Sequence, residues 1–183
     1  MKILVIPDIH QNVKWASAVL EKEAKKVDHI IFLGDFFDSR NDTNATVVET
    51  SQFLDGVREK YKGKVDFLLG NHDHTYYFFY KRAKQFKSIR ITDCPYRCTG
   101  FTKRKAYRIA KTLSEDFVKE VKLAVYYDEV LYSHAGAHAN LFSYTPNGYN
   151  VEGLLEEAKD VAQNWGNPLY FDHKFFACGH TRG

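Results

Sequence analysis

Five short apolar runs, each ending in a polar or ionisable cluster, restrict this chain more than any other feature of its sequence. Residues 2–6 lead into Asp8-Ile9-His10, residues 29–33 into Gly34-Asp35-Phe36-Phe37-Asp38, and residues 65–69 into Gly70-Asn71-His72-Asp73. Further on, residues 130–133 run into His134-Ala135-Gly136, and residues 174–178 into Gly179-His180-Thr181-Arg182. The first three runs are separated by segments of helical spacing. One carries Val13, Ala16, Val19, Leu20, Ala24 and Val27; the other, over 45–61, puts Val47, Leu54, Val57 and Tyr61 on one face. Strand, helix, strand, helix, strand predicts an α/β fold with parallel central strands and helical crossovers. Ligands of such sheets bind just beyond the carboxyl ends of the strands, so the clusters are expected to meet at one site.

The second half is less regular. A helix is expected over 112–121, and a hairpin from residues 121–127 and 130–133 about Asp128-Glu129. A further helix covers 151–163. No stretch rich in Gly, Ser or Pro marks a boundary, and 183 residues suit a single domain spanning 1–183. Within it, residues 76–120 read as a basic, aromatic-rich insertion.

The side chains at the strand ends belong to one kind of chemistry. Carboxylate, imidazole and amide oxygen suit divalent ions of intermediate hardness, and do not suit soft thiolate sites. Asp8, His10, Asp35, Asn71, His134 and His180 are more ligands than one ion with open positions needs. Two ions sharing a carboxylate would use all six, and such pairs sit about 3.5–4 Å apart. Asp35 is the expected bridge, because it follows the middle of the three parallel strands. Glycines before Asp35, Asn71 and His180 suit sharp turns and close approach to a ligand. His29, His74, His138 and His173 lie outside the pattern and are expected to be ordinary polar histidines.

The ordered series D-x-H, G-D-x-x-D, G-N-H-D, S-H-A-G and G-H-T-R resembles the calcineurin-like metallophosphoesterase superfamily, from Asp8 to His180. The resemblance implies a four-layer α/β/β/α sandwich, two mixed sheets face to face with helices outside, and a dinuclear metal centre at the strand ends. It implies that Asp8 and His10 hold the first ion, that Asp35 bridges, and that Asn71, His134 and His180 hold the second. His72 would then donate a proton to the leaving oxygen, with Asp38 orienting it. Mn2+ is the expected ion, with Fe, Zn, Ni or Co as alternatives. Pro7 and Gln11 stand where the first motif usually has glycine, and Ser39 separates Asp38 from Arg40 where one subgroup has an arginine directly after the aspartate. Many nucleases of the superfamily carry a second histidine in the last motif; here that place is Arg182. The pattern is thus nearest to the Ser/Thr protein phosphatases and dinucleoside tetraphosphatases, with Arg40 and Arg182 as candidate contacts to the substrate phosphate. Relatives continue with further strands, so a chain ending at Gly183 is expected to lack part of the second sheet or to be a truncated form.

The expected activity is therefore hydrolysis of a phosphate ester. On that expectation two ions would acidify a water between them, whose hydroxide would attack phosphorus directly without a covalent phosphoenzyme. The partner is a phosphorylated substrate: a phosphoprotein, a small phosphate or a nucleotide. Residues 81–111 hold eleven Lys or Arg against one acid, Asp93, while the rest of the chain holds 15 basic and 22 acidic residues. This segment reads either as a solvated surface or as a cradle for polyanions, which keeps a nucleotide or nucleic-acid phosphodiesterase as the alternative. Aromatic residues around it (Tyr76 to Tyr80, Tyr96, Phe101, Tyr107) read first as core and second as platforms for bases. A non-catalytic protein-binding scaffold ranks last, because every ligand position is filled. Cys94 and Cys98 lack the second pair a structural zinc site needs. Three cysteines cannot all pair, and the run at 3–6 is too short for a signal peptide or a bilayer span. A reduced, cytoplasmic setting without membrane attachment is expected.

Overall fold

Three parallel strands, β1 (Ile3–Ile6), β2 (His29–Phe32) and β3 (Val65–Phe67), form a sheet in the spatial order β1-β2-β3. The computed structural model describes residues 1–39, 41, 43–85, 98–122, 124–128 and 130–134. Register runs from Ile3 opposite His29 to Ile6 opposite Phe32, and from Ile30 opposite Val65 to Phe32 opposite Phe67. The pleat sends alternate residues to opposite faces. Ile6, Ile30, Phe32 and Phe67 enter the larger core, while Ile31 and Leu68 enter a second one.

Helices cover the first face. α1 (Val13–Glu23) is capped by Asn12, whose side chain accepts from the Trp15 N–H, and it buries Ala16 and Leu20. α2 (Val47–Lys60) starts with a reciprocal cap: Thr46 accepts from the Glu49 N–H, and Glu49 accepts from the Thr46 N–H. It buries Val47, Leu54 and Val57 against the sheet. These two crossovers follow the sequence reading, with α2 a residue or two shorter at each end than expected.

Beyond β3 the chain departs from that reading. Residues after Gly70 turn at once into α3 (Asn71–Phe78), followed by α4 (Tyr80–Gln85). The helix expected over 112–121 is the shorter α6 (Glu115–Glu120), and an unexpected helix, α5 (Lys103–Thr112), precedes it. Leu113 takes an extended conformation between them, and Ser114 caps α6 by accepting from the Phe117 N–H. Asp55 of α2 holds the break in place by accepting from both the Ser114 N–H and its hydroxyl. Phe117 is fully buried against Phe67, ring centroids 4.6 Å apart.

The expected hairpin is present. β4 (Ala124–Tyr127) pairs antiparallel with β5 (Val130–Ser133), and Asp128 turns between them at φ +47°. Val125, Tyr127 and Tyr132 pack with Ile31 and Leu68 on the sheet face opposite the helices. Mixed α/β structure with two sheets and flanking helices is the observed architecture, in line with the expected fold class. The helix over 151–163 and the strand over 174–178 lie outside the described residues. Among the described residues, no helix is long and apolar enough to cross a membrane.

The aromatic run after β3 is core. Tyr76, Tyr77, Phe79 and Tyr80 are buried and only Phe78 is exposed, so these rings are not free to stack on bases.

Candidate metal centre

The loops that leave β1 and β2 carry four of the five non-glycine residues with positive φ among the described residues: His10 (+39°), Gln11 (+66°), Asp35 (+52°) and Asp38 (+64°). Such conformations cost energy and persist only where neighbours over-determine them. Here they do. The His10 and Gln11 N–H groups donate to the Asp35 and Phe36 carbonyls at 2.9 and 2.8 Å. The Gln11 side chain donates to the Ala45 carbonyl at 2.5 Å and accepts from the Ser39 N–H at 3.2 Å.

Glycine is required at two of these turns. A Cβ on Gly34, at φ +103°, would lie 2.5 Å from the Gly70 nitrogen, and one on Gly70 would lie 2.1 Å from the Asp35 nitrogen. The close approach expected between backbone and ligand is therefore an approach of two backbone segments to each other. It sets the ends of β2 and β3 side by side.

Asp35 is the centre of the resulting cluster. Its side chain is fully buried, and Oδ1 accepts from the His72 N–H at 2.8 Å. Oδ2 has no hydrogen bond among the described residues, with His10 Nε2 at 3.8 Å and His134 Nε2 at 3.6 Å. Two sets of ligand atoms share this residue: His10, Asp35 and His72, and separately Asp8, Asp35 and His134, each set within 4.8 Å internally. The resemblance divides the ligands differently, placing Asp8 with His10 and giving His72 the proton.

Backbone carbonyls fix the two imidazoles. His10 Nδ1 donates to the Phe37 carbonyl at 2.9 Å and His134 Nδ1 to the Leu33 carbonyl at 2.8 Å, which turns each Nε2 inward. His134 Nε2 lies at hydrogen-bond distance, 3.0 Å, from Asn71 Oδ1. His10 Nε2, His134 Nε2, Asn71 Oδ1 and Asp35 Oδ2 thus converge on one place. A buried carboxylate oxygen without a donor, ringed by nitrogen and oxygen lone pairs, is the arrangement divalent cations satisfy. The residues present fit such ions.

Beside the cluster lies a carboxylate–imidazole pair. His72 Nδ1 donates to Asp38 Oδ2 at 3.2 Å, and the His72 and His10 rings meet edge to face at 5.1 Å. Burial raises the Asp38 carboxyl, but donors from His72, Lys105 and Tyr76 outweigh this and leave it below its ordinary value.

Of the expected site residues, Asp8, His10, Asp35, Asp38, Asn71, His72 and His134 are brought together. Arg40, His180 and Arg182 lie outside the described residues. Sequence reasoning missed Asp73, Lys105, Cys98 and the Tyr76 hydroxyl, which donates to Asp38. Asp73, wholly buried, accepts from the Phe36, Phe37 and Gly70 N–H groups and so ties two loops together; burial and then the neighbouring Asp35 push its carboxyl up. Its place in G-N-H-D was the available signal. Lys105 reaches Asp38 from α5, and Cys98 bonds Asn71 through its side chain and carbonyl, at 3.2 and 3.0 Å. Neither had a motif to mark it.

A family model described as calcineurin-like phosphoesterase matches residues 1–181. Among solved structures, a metallophosphoesterase from Sphaerobacter thermophilus is similar, with 18% identity and a TM-score of 0.42. The match covers 86% of this chain, which spans 56% of that one. No curated protein matches the chain in sequence.

Proposed function

The chain belongs to the calcineurin-like phosphoesterase family, and from that premise we propose that it is a metal-dependent phosphatase hydrolysing phosphate monoesters. The observation that carries this reading is that Asp35, whose buried Oδ2 has no hydrogen bond among the described residues, belongs to two groups of side chains able to hold a metal ion. Asp8, His10, Asp35, Asn71 and His134 would hold two divalent ions, Mn2+ first among them, with His180 completing the set. Bound there, the ions supply a more acidic solvent nucleophile and positive charge beside the phosphoryl oxygens.

The chain's own residues do the rest. Carbonyls of Leu33 and Phe37 aim the imidazoles, and Asp73 holds the loops that present them. Asp38 accepts the His72 Nδ1–H and so orients the ring, whose Nε2 would carry the proton for the leaving oxygen. One nitrogen cannot hold both an ion and that proton. The place of His72 in G-N-H-D assigns it the proton. Arg40, one position later than the arginine of the phosphatase-like subgroup, and Arg182 would meet the substrate phosphate, and the same proposal puts the protein in the cytoplasm.

A nucleotide or nucleic-acid diesterase is the second reading, favoured by the exposed Lys103, Arg104, Arg108 and Lys111 of α5. The burial of Tyr76, Tyr77, Phe79 and Tyr80 weighs against a base-stacking version of it. Purified protein with Mn2+ separates the two when assayed on an aryl monophosphate, an aryl diester, a dinucleoside tetraphosphate and single-stranded DNA. The monoester is expected to turn over fastest. Turnover of diesters alone would reverse the assignment, and inactivity on all four with ions bound would favour a scaffold.

A further inference from the structure

Asp38 has more to hold it than His72. Its side chain is fully buried, and while Oδ2 faces the imidazole, Oδ1 accepts from the Tyr76 hydroxyl at 2.6 Å and from Lys105 Nζ at 2.8 Å. Lys105 donates a second time, to the Gly100 carbonyl at 2.7 Å, which fixes the ammonium between loop and carboxylate. Gly100 itself, at φ +100°, lies so close that a Cβ there would come within 2.9 Å of Asp38 Cγ. Phe101 packs on Tyr76 with ring centroids 5.1 Å apart, and Cys98 Sγ donates to the Asn71 carbonyl. Residues 98–105 thus form a wall of the site.

We propose that Lys105 is a positioning residue for the hydrolytic step: with Tyr76 it pins Asp38 Oδ1, so that Oδ2 keeps the His72 ring aimed at the leaving oxygen. A carboxylate held by one donor on each oxygen can swing about its terminal torsion, which is broad and roughly two-fold. Three donors, one of them also tied to backbone, leave it a single orientation. Charge-assisted bonds of this kind are the strong ones, and a general acid displaced by about 1 Å loses much of its effect. The role rests on the assignment of the proton to His72.

The test is a series of aryl and alkyl phosphates graded by leaving-group basicity, run on wild type, Lys105→Met, Lys105→Arg and His72→Ala with bound metal measured in each. Lys105→Met is expected to lose about tenfold in kcat on the poorest leaving group and almost nothing on the best, with KM and metal content unchanged. Lys105→Arg should recover most of the loss. His72→Ala should show the same slope more steeply, about 100-fold at its extreme. A purely structural Lys105 would lower all substrates alike, and that result overturns the proposal, as does wild-type behaviour. A flat series in His72→Ala overturns the proton assignment and the Lys105 role together; a steep His72→Ala beside a flat Lys105→Met removes only the latter. Should Lys105→Met fail to fold, Tyr76→Phe removes the other Oδ1 donor and reads the same slope.

Discussion

A single methyl group at Gly70 would collide with the Asp35 backbone at 2.1 Å and with its Oδ1 at 2.2 Å. Backbone cannot yield as the end of a flexible side chain can, so the β2 and β3 loops would have to part. Gly70→Ala is expected to cost about 3 kcal/mol by overpacking and to weaken binding of Mn2+, read by thermal denaturation and by metal titration. Unchanged stability with unchanged affinity would mean that the loops are not pressed together as described. At this scale the sequence was informative where a residue sat at a strand end. Asp8, His10, Asp35, Asn71, His72 and His134 all stood directly after apolar runs, and the structure gathers them. Lys105 and Tyr76 were illegible because they reach Asp38 across 67 and 38 positions, distances at which no local pattern operates.

Elements were legible in proportion to their apolar periodicity. β1, β2 and β3 are apolar runs bounded by Gly or Pro, and α1 and α2 carry caps and regular apolar spacing. α5 was hidden by its charge: five basic residues between 103 and 111 read as a solvated run, while its buried stripe is only Ala106, Ile109 and Ala110. Thr102, capping through the Lys105 N–H, was the signal available. β4 is tied to the sheet by a polar cluster that sequence alone did not suggest. Asp66 of β3 accepts from Lys122 Nζ at 2.6 Å, the Tyr127 hydroxyl at 2.6 Å and His29 Nε2 at 2.8 Å. Burial raises the Asp66 carboxyl, but these three donors prevail and leave it below its ordinary value. A carboxyl lowered by folding adds stability above its unfolded value, about 3.9, and loses it as the pH falls through the folded one. Asp66→Asn should therefore cost about 2 kcal/mol at pH 7, with the difference from wild type shrinking as the pH falls below about 4. Urea melts across that range check it; a gap that stays constant down to pH 3 would show that the charge contributes nothing.

Across the whole molecule, one sheet does the assembling. Parallel pairing in the order β1-β2-β3 brings Asp8, Asp35 and Asn71 to one edge, and the hairpin on the far face delivers His134 to the same place. The middle position of β2 makes Asp35 the expected bridge, and Asp35 belongs to both groups of side chains able to hold a metal ion. The grouping of these side chains in space was beyond sequence, since it depends on loop conformations with positive φ at His10 and Asp35. Everything proposed about catalysis depends on whether that shared carboxylate binds a pair of cations. Elemental analysis of protein stripped, reloaded with Mn2+ and freed of excess measures it directly. About two ions per wild-type chain, falling to one or fewer in Asp35→Asn with the fold retained, is the predicted result. Wild-type protein that binds none, or Asp35→Asn that binds as many as wild type, would contradict it.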